Sequence, residues 1–338
     1  MPVAAPEKSG KVLMKKLLKW SGIVVLLAII ALAIVPFLIP VKPLDGLKTA
    51  QALARPDDRF VTLPFAGTDG IDIRYRDSGN AGTGRTFLML HGSVFNAATW
   101  DEVTDALAAK GRVVAYDQIP YGLSEKLVPG DWAGASPYRI EAAVARIFQL
   151  MDALGIGQAT LVANSYGAVL AVRAAAAHPE RLDGLVLGDA AVYVNESMPA
   201  WLMNLPQVER LGPLVARGIG ASDRFVDATW LHPDAMNDAR RSKTLIHSQV
   251  ENWDAAFWGY LKVWQMSDLG PAIAGITQPT LVISGEGDGI VPVEESRRLQ
   301  QSIPGSELVV LPNCGHVPQE ECPAAYSAAV LDWIERAS

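Results

Sequence analysis

Six short apolar runs recur along the chain: Thr86–Leu90, Val113–Tyr116, Thr160–Val162, Leu185–Leu187, Thr280–Ile283 and Leu308–Leu311. A brief apolar run without polar alternation is buried on both faces, as in a parallel strand covered by helices on either side. Helical spacing fills the intervals at Ile140–Leu154, Ala168–Ala177, Val293–Gln301 and Ala324–Arg336. Strand–helix alternation over roughly 250 residues predicts an α/β fold with a doubly wound, mostly parallel sheet. Ahead of it, Arg59–Pro64 and Ile71–Arg76 alternate about Gly67-Thr68-Asp69-Gly70, which predicts a hairpin.

One interval breaks the rhythm. Residues 191–275 carry no clear buried strand, yet they hold five of the nine tryptophans: Trp201, Trp230, Trp253, Trp258 and Trp264. The expectation is a helical cap at 191–275 over a core of 59–190 and 276–338. It would lie on the C-terminal edge of the sheet, where open α/β sheets bind ligands.

The N-terminus obeys different rules. Residues 22–39 contain no charge. As a helix these 18 residues would span ~27 Å, about a bilayer's hydrocarbon thickness. A helix apolar on every side does not suit an ordinary soluble core. Five lysines precede the run (Lys8, Lys11, Lys15, Lys16, Lys19) against one acid, Glu7. A short basic tail stays in the cytoplasm, so the remainder would be exported.

The expected layout is a cytoplasmic tail at 1–21, a single-pass anchor at 22–41 in the inner membrane, and a linker at 42–58. The catalytic domain would then face the outer, periplasmic side, with membrane lipid as a partner of the helix. A cleaved signal peptide is the rival reading, but its small-residue site, Ala52-Leu53-Ala54, lies more than ten residues past the apolar run.

The formal charge of −7 argues against nucleic acid, since no Lys/Arg cluster appears beyond the first 20 residues. No metal-ligand spacing and no phosphate-binding glycine motif occurs, so neither metal nor cofactor is expected. Two cysteines, Cys314 and Cys322, are too few for a disulfide framework. They are expected to be small buried apolar residues rather than a bridge, although an oxidising face would permit one.

The sharpest local motif is Ala163-Asn164-Ser165-Tyr166-Gly167, between the run TLV and the helical AVLAVRAAAA. A serine on a tight strand-to-helix turn needs small residues two before and two after it, because neighbouring backbone presses there. The turn holds the hydroxyl out at the positive end of the helix. Serine needs a base to attack, and of five histidines only His316 follows the last strand on the same edge. His91 lies beside Gly92, where the backbone matters more than the side chain.

The base needs an acid to hold its tautomer. Asp288, in the glycine-rich loop one strand earlier, is the expected acid; Asp189 and Glu286 are its rivals. The oxyanion donors expected are the backbone N–H groups of Tyr166, at the helix start, and Ser93, after the His91-Gly92 turn.

Together the order Ser, Asp, His, the HG turn, the stretch Asp117–Lys126 and the GHVPQEECP ending resemble the α/β-hydrolase superfamily over roughly residues 60–338. The resemblance implies an eight-stranded, mostly parallel sheet with a helical cap. Ala163 stands where glycine is usual. Asn164 is shared with hydrolases of ring-cleavage products, but Ser93-Val94-Phe95-Asn96 and Val317 depart from their usual pattern. A serine nucleophile argues against the haloalkane dehalogenase and epoxide hydrolase branches.

The expected function is hydrolysis of a carboxylic ester, or a lactone, of an apolar or aromatic small molecule through an acyl-enzyme, without a cofactor. Amide or peptide cleavage and carbon–carbon bond hydrolysis use the same triad. A non-catalytic ligand-binding protein is the alternative from another class.

Overall fold

The computed structural model describes residues 7–79, 84–194, 199–264 and 269–336. The first six residues of the basic tail lie outside that description. Eight strands form one sheet in the order β1-β2-β4-β3-β5-β6-β7-β8. They are β1 Arg59–Leu63, β2 Ile71–Gly79, β3 Arg85–Leu90, β4 Gly111–Tyr116, β5 Ala159–Asn164, β6 Leu182–Gly188, β7 Thr280–Gly285 and β8 Glu307–Leu311. The expected hairpin is β1–β2; it pairs antiparallel and joins β4 antiparallel, and every other pairing is parallel.

Each predicted buried run became a strand for the reason given by its composition. Successive side chains point to opposite faces; β3 to β7 are largely buried on both, and the edge strand β8 is half-buried. Leu88, Leu90, Leu161, Ala163 and Leu185 enter one core. Phe87, Met89, Val162, Val186 and Ile283 enter the other. The helices Ile140–Ala153 and Tyr166–Ala177 supply residues to the first core, and Asp101–Ala108 and Pro323–Arg336 to the second.

Between β6 and β7, where a cap was expected, the described residues form helices and no strand. The longest are Pro206–Gly220 and Trp253–Leu261. Trp253 and Trp258 are buried, whereas Trp201 is 71 % exposed.

At the N-terminus one helix runs from Glu7 to Leu38, so it takes in most of the basic tail and stops short of residue 41. Its portion Lys16–Leu38 is long and apolar enough to cross a membrane and is not buried by the rest of the chain. The stretch after it is more than a tether. Lys48 donates to Gln249 O (2.9 Å) and accepts from Glu251 N (3.0 Å). The Asp58 carboxylate is buried between the guanidinium groups of Arg74 and Arg76. Burial and paired charges thus begin before Arg59, because Arg74 and Arg76 of β2 are largely enclosed and need this acid to neutralise them.

Candidate active site

β5 ends at Asn164 and the helix begins at Tyr166, leaving Ser165 alone to make the turn. Its backbone sits at φ 55°, ψ −118°, a conformation that side-chain-bearing residues avoid. Ser165 N donates to Gly188 O on β6 (2.9 Å), which holds the turn in place. The need for a small residue two positions later is steric. A Cβ on Gly167 would lie 2.2 Å from Leu90 O. On the facing loop, a Cβ on Gly92 would come within 3.0 Å of Ser165 Cβ, so the HG backbone does lie against the serine.

The expected acid and base meet. His316 Nδ1 and Asp288 Oδ2 are 2.7 Å apart, and both residues are buried. Asp288 Oδ1 accepts from the amides of Ile290 (2.7 Å) and Val291 (3.0 Å), which fix the orientation of its carboxyl group. With Nδ1 turned to Asp288, Nε2 is the ring nitrogen left for a reacting group. His316 N donates to Thr229 O (2.8 Å), and Asn164 Nδ2 donates to His316 O (3.0 Å). His316 is therefore clamped from the segment before β7 and from the residue preceding the serine. Glu286 is exposed, and its backbone N–H reaches Leu311 O; it is not the acid beside His316.

Asp189 also reaches this place. It is fully buried, and one ligating atom each from Asp189, Asp288 and His316 lie within 4.8 Å of one another. Burial first, and the nearby Asp288 charge second, push the Asp189 carboxyl well above its usual range.

Two expectations are corrected. Cys314 and Cys322 form a disulfide, with Cα atoms 6.1 Å apart. The turn after β8 and the short helix Pro318–Glu321 fold back on each other and bring the pair within bridging distance. The His91 side chain also matters more than expected. Its Nε2 accepts from Gln118 N (2.8 Å), so that nitrogen is bare and the proton sits on Nδ1, which donates to Gly92 O (2.8 Å). Burial pushes this ring down to about 4 and keeps it neutral. A neutral ring with both nitrogens engaged fixes the loop that touches Ser165. Nothing in the sequence beyond the HG pair signalled that wiring.

Ser165 and His316 open on one cavity of roughly 590 Å³. Ser93 and Tyr166, the expected oxyanion residues, line it too, as do Trp258 and Trp264 of the five tryptophans between β6 and β7. Among the described residues none of its lining side chains is Asp, Glu, Lys or Arg. A strand-to-helix serine, a histidine after the last strand and a buried carboxylate behind it define a hydrolase of the α/β class.

Comparison with known proteins agrees. A family model described as the alpha/beta hydrolase fold matches residues 85–323, and the chain belongs to this family. It is 33 % identical over 277 residues to the 2-hydroxymuconate semialdehyde hydrolase of Pseudomonas sp. strain CF600, covering 79 % of this chain and 92 % of that one. Among solved structures, an enol-lactonase from Burkholderia xenovorans LB400 aligns with TM-score 0.64 and 26 % identity, covering 80 % of this chain and all of that chain. A membrane phospholipase A described as a bacterial virulence factor aligns with TM-score 0.66 at 22 % identity, over 96 % of this chain and 99 % of that one; this likeness is one of fold.

Proposed function

We propose that this chain is a membrane-anchored serine hydrolase that cleaves a carboxylic ester carrying an apolar group. The observation that carries the reading is the cavity: serine and histidine open on a space of roughly 590 Å³ whose described lining is mostly apolar and holds no Asp, Glu, Lys or Arg. Such a wall holds a neutral apolar substrate by burial and, among the described lining residues, sets no cation against a carboxylate. In the proposed reaction Ser165 Oγ attacks the ester carbonyl, His316 Nε2 takes its proton, and Asp288 steadies the imidazolium. The amides of Ser93 and Tyr166 receive the negative oxygen. On collapse the ester C–O bond breaks and His316 returns its proton to the departing alcohol. Water, losing a proton to His316, then releases the acid from Ser165. No cofactor enters these steps.

The membrane part rests on how the helices meet. Pro206–Gly220 lines the cavity through Val208, Val215 and Ile219. The same helix reaches the N-terminal helix and the stretch after it: Gln207 donates to Ala33 O (3.4 Å), Arg210 to Ile39 O (3.3 Å) and Arg217 to Lys42 O (2.8 Å). Trp201, Leu205, Val215 and Ile219 are exposed along this side. An apolar surface continuous with an anchor suits a bilayer interface, with membrane lipid as its partner. The disulfide suits an oxidising compartment, in keeping with a catalytic domain outside the inner membrane.

A second reading is hydrolysis of a carbon–carbon bond beside a ketone. The relative's name, 2-hydroxymuconate semialdehyde hydrolase, favours it, and on names alone the curated relatives support it better than the ester reading. Against it stands the lack of a Lys or Arg among the described residues that line the cavity, because a muconate-type substrate carries a carboxylate. A direct comparison decides. Purified full-length protein is expected to hydrolyse p-nitrophenyl esters, with preference for longer acyl chains, and to leave 2-hydroxymuconate semialdehyde untouched. Ser165→Ala is expected to lower ester turnover by about three orders of magnitude or more. Turnover of the dienoate at a higher kcat/KM than any ester would replace the first reading with the second. Ester turnover within about tenfold of wild type in Ser165→Ala would remove both.

A further inference from the structure

The fully buried Asp189 takes no part in the proposed steps, yet it faces the acid that does. It lies just past β6, with φ 44°, and its N–H donates to Ile283 O on β7 (2.9 Å). A non-glycine residue keeps such a backbone only where its surroundings impose it. Asp189 Oδ1 accepts from Gly285 N (2.9 Å) and from Ser284 Oγ (3.3 Å). Its other oxygen, Oδ2, is buried without a hydrogen-bond partner among the described residues. An oxygen buried in that state is costly as half of a carboxylate and ordinary as the hydroxyl of an acid.

The neighbours determine which of the two acids keeps a proton. Asp288 faces three donors, the amides of Ile290 and Val291 and the ring of His316. Asp189 has two, and the remaining groups around it are Asp288 itself, His316 and the buried phenol of Tyr326 on the C-terminal helix. Two ionised carboxylates this close, away from water, repel strongly, so one is neutral. The carboxyl group that meets more donors is that of Asp288.

We propose that Asp189 is a positioning residue that meets Asp288 as a neutral carboxylic acid, its proton on Oδ2 and directed to the Asp288 carboxylate. This rests on the reading of Asp288 and His316 as acid and base. A neutral donor fixes the Asp288 carboxylate without adding a second negative charge behind His316. Burial and the Asp288 charge raise the Asp189 carboxyl in the same direction.

Two measurements on the full-length protein test it. Infrared difference spectra at pH 8 between wild type and Asp189→Asn should show loss of a protonated-carboxyl band in the variant. At that pH the buried Glu320, raised to about 7, is largely ionised and does not mask the band. In the pH profile of kcat/KM, Asp189→Asn, whose amide still donates, should stay within about threefold of wild type with its acidic limb unmoved. Asp189→Ala removes the donor, leaves the Asp288 charge unshared, and should lower kcat about tenfold with KM unchanged. Its acidic limb should move to higher pH. An unchanged band in Asp189→Asn, a limb shifted to lower pH in that variant, or an unmoved limb in Asp189→Ala would overturn the proposal. The infrared band is read without turnover, so failure of the triad reading in Ser165→Ala would show separately.

Discussion

Asn164 Nδ2 donates to the backbone carbonyl of His316 across 3.0 Å, so the residue before the serine turn holds the loop that carries the histidine. The two lie 152 positions apart in sequence, and both are buried. Asn164→Ala is expected to leave the fold intact and to lower kcat by about tenfold, since small misplacements of a base are costly. Steady-state kinetics with a p-nitrophenyl ester check this, and an unchanged kcat would show that the Thr229 contact alone places His316.

Asp288→Asn should depress kcat/KM by about three to four orders of magnitude, because an amide at this position favours the wrong imidazole tautomer. The two backbone donors to Oδ1 remain, so the melting temperature should change little. If activity persists near the wild-type value, the acid behind His316 is another group.

The disulfide closes a short loop that contains His316. Cross-linking so few residues stabilises by roughly 2–3 kcal/mol in the loop-entropy account. The double variant Cys314→Ser, Cys322→Ser should therefore melt several degrees lower and lose activity on heating before it unfolds. Calorimetry with and without reductant provides the check; identical melts would mean the bridge is dispensable.

Two buried histidines set the acid limit of stability. His91 and His247 are both pushed down to about 4, each chiefly by burial. A group with a lowered folded pKa contributes stability that is complete above its unfolded value of about 6.5. That contribution is lost as pH falls toward about 4. Each ring should take roughly 3 kcal/mol with it over that window, as an order of magnitude. Denaturant melts at pH 7 and pH 4.5 should show the loss, and His91→Gln should flatten it. An equal slope in the variant would assign the acid sensitivity elsewhere.

Topology tests the proposed anchor. In spheroplasts, added protease should digest the catalytic domain and spare a tag at Met1, and the protein should resist carbonate extraction. Protection of the domain would reverse the orientation. A soluble form should begin near Lys42 rather than at Arg59, because Lys48 and Asp58 are bonded into the domain.

Much of this molecule was written locally. A parallel strand buried on both faces has to be a short apolar run, so β3 to β8 were visible one by one. The serine turn was visible because crowding forces small residues at 163 and 167, and the membrane-length helix because no charge interrupts it. Contacts across the chain left no such mark. Whether Asp189 or Asp288 serves His316 depends on which loop delivers its carboxylate to Nδ1, and both follow strands of the same kind. The bridge between Cys314 and Cys322 depends on one turn folding back, and the wiring of His91 depends on Gln118 from the next strand's loop. Hydrophobic periodicity is a property of neighbours in sequence and can be read there. Hydrogen bonds and ion pairs between distant loops are decided only when the sheet sets those loops side by side.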